Sequence, residues 1–128
     1  MQIVIKIIFI LELSLLFTHE MDAIRRQEWK MFIFLKNLTD EKAYKIFLLL
    51  HIPLYTAILL VLFSSFMNIG NYIVDIFLII HMLIHFLFRK NPANELNGKI
   101  SKGIINSAGL FAIIHLLFNI IYEHFSKL

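Results

Sequence analysis

Long apolar runs alternate with short polar stretches along this chain. A helix needs about 20 mostly apolar residues, within a range of roughly 17–25, to cross a bilayer. Four segments meet that requirement, at about residues 3–20, 44–66, 71–89 and 104–122. The pattern predicts an all-α protein: a polytopic membrane four-helix bundle with a polar, histidine-bearing core, in one transmembrane domain over residues 1–128. The first run is the shortest, and Lys6 and Glu12 interrupt it. It has no A-x-A-like cleavage site, so it is expected to stay on as a helix rather than act as a signal peptide.

The connecting stretches carry their own signals. Residues about 21–38 mix Arg25, Arg26, Lys30 and Lys36 with Trp29, Met31, Phe32, Ile33, Phe34 and Leu35. This reads as an interfacial segment or an extension of the first helix, with Trp29 at headgroup level. Thr39 or Asp40 can cap the second helix, and Ser101 the fourth. Asn91-Pro92 ends the third, because proline disfavours helix at the preceding residue. Pro53 lies inside the second and should free a carbonyl near His51.

At about 100° of rotation per residue, each helix gathers its polar residues on one side. The first aligns Glu12, His19, Asp22 and Arg26, with Glu20 beside them. The second aligns Tyr44, His51, Tyr55 and Ser65. The third gathers Asn71, Asp75, His81, Met82 and His85. The fourth aligns Ala108, Ala112, His115, Asn119 and Tyr122, and its alanines allow close helix approach. The opposite faces are Leu, Ile, Phe and Val. Lipid does not solvate charge, so the polar faces should turn inward.

Composition agrees. The hydrophobic fraction is 59% and the mean hydropathy +0.79, against about 45–50% apolar residues in soluble domains. With no cysteine, disulfides, thiolate zinc sites and iron–sulfur ligation are excluded. No nucleotide-binding or serine-elbow motif occurs. The net charge is only +3. The basic residues concentrate in two loops, with Arg25, Arg26, Lys30, Lys36 and Lys42 in one and Arg89, Lys90, Lys99 and Lys102 in the other. Met67-Asn-Ile-Gly70 carries no charge. The positive-inside rule makes both basic loops cytoplasmic and both termini external, in the inner membrane, although Lys6 and Lys127 oppose this. The expected partners are the bilayer and another copy or another membrane protein, with no nucleic acid.

Depth singles out a group of residues. With a rise of about 1.5 Å per residue, His19, His51 and His85 fall in the cytoplasmic third. His81 lies one turn deeper, and Glu20 and Asp22 at or just beyond that layer. Glu12 and His115 come near mid-membrane, and Asp75 toward the outer side. His81 and His85 form an H-x-x-x-H pair whose i, i+4 spacing lets both rings chelate one ion. No glutamate follows His81, so this is not the H-E-x-x-H of metalloproteases. The candidate metal ligands are therefore His19, Glu20, Asp22, His51, His81 and His85. Imidazole and carboxylate suit zinc, iron, manganese, nickel or copper without choosing among them. Glu28, two turns beyond Glu20 on a continuing helix, would pair with Arg25 or return to the site.

Structural readings stand beside these. His19, Glu20 and Asp22 fit interfacial residues in water. His51 fits a partner for the carbonyl freed by Pro53. The His81/His85 pair and His115 with Asn119 fit interhelical hydrogen bonds, worth about 0.6 kcal/mol each on average. Glu12 and Asp75 fit protonated, neutral carboxyls, because burial disfavours the charged form. Two functions follow: an intramembrane metal- or proton-binding site, or a non-catalytic scaffold or accessory subunit whose polar residues serve helix packing.

The chain resembles a family of small, uncharacterised bacterial membrane proteins with four helices. The resemblance rests on His19-Glu20-x-Asp22-Ala23-Ile24-x-x-x-Glu28-Trp29, His51-Ile-Pro53, Asp75-x-Phe77-x-Ile79-Ile80-His81-x-x-x-His85 and Ser107-x-Gly109. It implies a multi-pass bacterial membrane protein and carries no activity.

Overall fold

A backbone in an apolar medium must satisfy its own N–H and C=O groups, and helices do so within one segment. The computed structural model describes residues 1–35, 37–63 and 67–126. They form four helices: α1 (Gln2–Arg25), α2 (Asp40–Phe63), α3 (Met67–Leu87) and α4 (Lys99–Ser126). All four are long and apolar enough to cross a membrane. Among the described residues there is no strand. Lys36, Ser65 and Lys127 lie outside the described residues, as does the expected end of the second helix.

α4 packs along both α1 and α3, while α2 leans on α3 and on the segment that follows α1. The apolar core draws Phe9, Leu13 and Leu16 from α1, Ile58 from α2, Val74 and Leu78 from α3, and Ala108 and Ala112 from α4. Polarity is arranged inside out. Glu12, His19, Glu20, Asp75, His85 and His115 are buried, while Ile3, Ile10, Leu49, Leu60, Leu87 and Ile120 are exposed. Large exposed apolar surfaces of this kind mark contact with lipid or protein rather than water.

The connections differ from the sequence expectations in three places: residues 21–38, the expected turn over residues 67–70, which lies within α3, and the start of α4. α1 runs on to Arg25, the extension of the first helix that the sequence allowed, and Asp22 belongs to it. The chain then turns at Gln27, which adopts a left-handed conformation (φ 53°), into a 3₁₀ turn over Glu28–Met31. Residues 21–38 are thus not one interfacial helix. Trp29 is 6% exposed, packs against Tyr44 and Phe47, and donates its indole N–H to Asp40 Oδ1 at 3.3 Å. Its side chain thus helps fold the turn. α4 starts at Lys99, which places the expected cap Ser101 inside the helix and buries it. At the far end of α3 the backbone turns extended at Asn91 (ψ 127°), ahead of Pro92 as expected.

α3 and α4 meet closely at Gly109. A Cβ there would lie 2.8 Å from Met82 Cβ and 3.0 Å from Met82 Cε. Gly109→Ala should therefore lower stability by about 1–3 kcal/mol, the usual range for overpacking. Nothing lies within 4 Å of a Cβ at Gly103, so Gly103→Ala should be neutral or stabilising by up to about 1 kcal/mol. Thermal unfolding in mild detergent checks both, and equal effects at the two glycines would contradict the close α3–α4 contact.

Candidate metal centre

The last two turns of α1 place His19 and Glu20 against the rest of the chain, and α3 presents His81 and His85 one turn apart. His81 Nε2 lies 2.7 Å from His19 Nε2 and 3.2 Å from His85 Nε2. The three ring centroids are 4.7, 4.8 and 4.9 Å apart, a nearly equilateral triangle. Glu28 closes the fourth corner. Its Oε1 is 3.1 Å from His85 Nε2 and its Oε2 3.5 Å from His19 Nε2. All four donor atoms lie within 4.8 Å of one another.

This geometry has a direct chemical meaning. Imidazole nitrogens aimed at one another repel unless a proton or a cation lies between them. Ligands about 2.0–2.1 Å from a tetrahedral ion sit about 3.3–3.4 Å apart. The observed separations of 2.7–3.5 Å bracket that spacing. Burial alone would raise the Glu28 carboxyl pKa. The hydrogen bond from His85 and the neighbouring imidazoles of His19, His85 and His81 hold it below the ordinary value. That direction favours the ionised carboxylate, the state a metal ligand requires. Among the described residues no partner bonds Nδ1 of His19 or His85, so these rings are oriented by packing and by their Nε2 contacts.

The other sequence candidates fall around this group. Glu20 Oε2 is 2.6 Å from His51 Nε2, a salt bridge that ties α1 to α2. His51 Nδ1 donates to the Phe47 carbonyl at 2.6 Å. That is not the carbonyl Pro53 frees, which belongs to Leu49, four residues before the proline. Glu20 and His51 share with Glu28 and His81 the wall of a mostly apolar cavity of about 270 Å³. Asp22 instead faces Arg26 at 3.6 Å, on the side. A second cavity, of about 240 Å³, reaches His85 and is bordered by Arg89, Asn94, Asn97 and Lys102. Asn94 shapes its wall by accepting the Leu96 N–H at 2.8 Å and donating to the Phe88 carbonyl at 3.1 Å.

Glu28 takes the place that spacing along a continuing helix could not assign. Only the reversal at Gln27 carries it back over the end of α1. A non-glycine residue in a left-handed conformation leaves little trace in sequence, since glycine or asparagine usually marks it.

Four helices apolar enough to span a bilayer, closed around buried histidines and carboxylates, define a class of small helical proteins with a metal-capable core. Within that class the chain belongs to a Family of unknown function (DUF6713), whose model matches residues 5–122. No match was found among curated proteins or among solved structures.

The turn can be tested alone. A left-handed L-residue costs roughly 1–2 kcal/mol, so Gln27→Gly should raise the melting temperature in detergent. Gln27→Val should lower it, because a β-branched side chain resists positive φ. If valine were tolerated as well as glycine, Glu28 would not be held by this turn.

Proposed function

We propose that the protein is a multi-pass protein of the bacterial cytoplasmic membrane that binds one transition-metal ion through His19, His81, His85 and Glu28. The observation that carries this reading is the convergence of three Nε2 atoms and one carboxylate, with donor atoms all within 4.8 Å of one another. The basic loops support a position near the cytoplasmic face, by the positive-inside rule. Zinc, iron, manganese, nickel and copper all accept such ligands.

Three neutral imidazoles and one carboxylate leave a divalent ion with a net charge of +1. Glu20 stands close by, in contact with His51 at 2.6 Å. Asp22 takes no part. Cavities on two sides, one basic and polar and the other apolar, leave room for a small reactant beside the ion. The same residues would also bridge helices, so a scaffold role is the competing account.

Zinc content separates the two. After reloading with Zn²⁺ in mild detergent, wild-type protein should hold one equivalent more than His85→Ala. Equal content, with only the melting temperature lowered, would leave helix packing as the role of His85. Protons compete with the ion for imidazole. Zinc should therefore stay bound at about pH 7.5 and leave as the pH falls well below about 6.5, the ordinary imidazole value. Retention at about pH 4 would contradict imidazole ligation.

A further inference from the structure

We infer that a second, separate divalent-cation site lies toward the opposite end of the helices, built from Glu12 of α1, Asp75 of α3 and His115 of α4. None of its three side chains has any exposed surface. His115 Nδ1 is 2.8 and 3.0 Å from the two Asp75 oxygens and 3.7 Å from Glu12 Oε1. One donor atom from each residue lies within 4.8 Å of the others. Both oxygens of Glu12 are buried with no hydrogen-bond partner among the described residues.

With both carboxylates ionised the group carries −2, and a protonated His115 returns only +1. A proton held on Glu12 would balance the group without a metal, so it is geometry that favours a cation: three wholly buried side chains facing one another, with both Glu12 oxygens unbonded among the described residues. An unpaired carboxylate in a dry interior is strongly disfavoured. A divalent cation with a neutral imidazole brings the group to zero. The donor set, rich in oxygen with a single nitrogen, suits a harder first-row ion such as Mn²⁺ or Fe²⁺ better than the histidine-rich centre does. Asn119 lies 3.0 Å from His115 Nε2 through its side-chain amide. With the amide turned over, its oxygen accepts the Nε2 proton and leaves Nδ1 free to ligate.

The two sites are reached from different ends. A cavity of about 260 Å³ is lined by Lys6, Asn71, Asn119, Tyr122 and Glu123. Asn119 connects it to His115, and Asn71 stands one turn from Asp75 on α3. Between this cluster and His19 lie Leu13 and Leu16 of α1, with Leu78 and Ala112 across from them. Glu12 and His19 are seven positions apart, about 10 Å along the helix. The sites therefore do not share ligands, and each should load without the other.

The test uses the full chain in mild detergent, stripped of metal, reloaded with Zn²⁺ or Mn²⁺ and desalted. Elemental analysis counts the ions, and electron paramagnetic resonance reports the surroundings of Mn²⁺. Wild-type protein should hold two equivalents in all, while His85→Ala and Glu12→Gln should each hold one. The Mn²⁺ held by His85→Ala should give a spectrum distinct from the hydrated ion. If Glu12→Gln binds as much as wild type, the inference is overturned. Should Glu12→Gln fail to fold, His85→Ala decides: one buried Mn²⁺ supports the second site, and none overturns it. A single wild-type equivalent that Glu12→Gln loses and His85→Ala keeps would uphold this site and refute the histidine-rich one.

Discussion

Taking an ionisable group out of water costs several kcal/mol unless a partner compensates it. These helices bury Glu12, His19, Glu20, Glu28, Asp75, His85 and His115 while leaving leucine, isoleucine and phenylalanine outside. The polar groups must therefore be satisfied by one another. Two layers of contact result. One joins His19, His81, His85 and Glu28, with Glu20 and His51 beside it, and the other joins Glu12, Asp75 and His115. Apolar side chains of all four helices fill the space between the layers.

The helix packing follows from these contacts as much as from apolar burial. α1 and α3 each contribute to both layers, while α4 enters one through His115 and α2 is drawn in through His51. The apolar contacts of α2 are to α3, to the turn around Trp29 and, through Tyr55 against Phe17, to α1. The Glu20–His51 contact adds a specific link between α2 and the first helix. Polar partners of this kind select one rotation of a helix about its axis, which interchangeable aliphatic contacts do not. Gly109 adds a steric constraint by bringing α4 against Met82, the residue next to His81.

Much of this was legible along the chain. Run length predicted four helices, and the 100° periodicity put His19, His81, His85, Asp75 and His115 on inward faces, where the structure buries or half-buries them. Other features were not legible. Glu28 reaches the site only because the backbone reverses at Gln27, through a conformation its side chain does not advertise. Asp22 shares a helical stripe with His19, yet Arg26 lies one turn away and holds it aside. Tryptophan favours interfaces, but nothing along the chain says that Tyr44 and Phe47, which the loop brings from α2, enclose Trp29.

Hydrophobic length and helical period are local quantities, and the sequence by itself determined what depends on them: the number of helices, their apolar faces and the side on which each histidine lies. Which of those groups touch depends on helix rotation, axial offset and the path of the connecting turn. Only the tertiary structure decided that three Nε2 atoms meet Glu28 rather than Asp22, that Glu20 takes His51, and that Glu12 joins Asp75 and His115. Such contacts are set within about an ångström by the packing of all four helices together. A pattern read along one helix at a time contains no such distance.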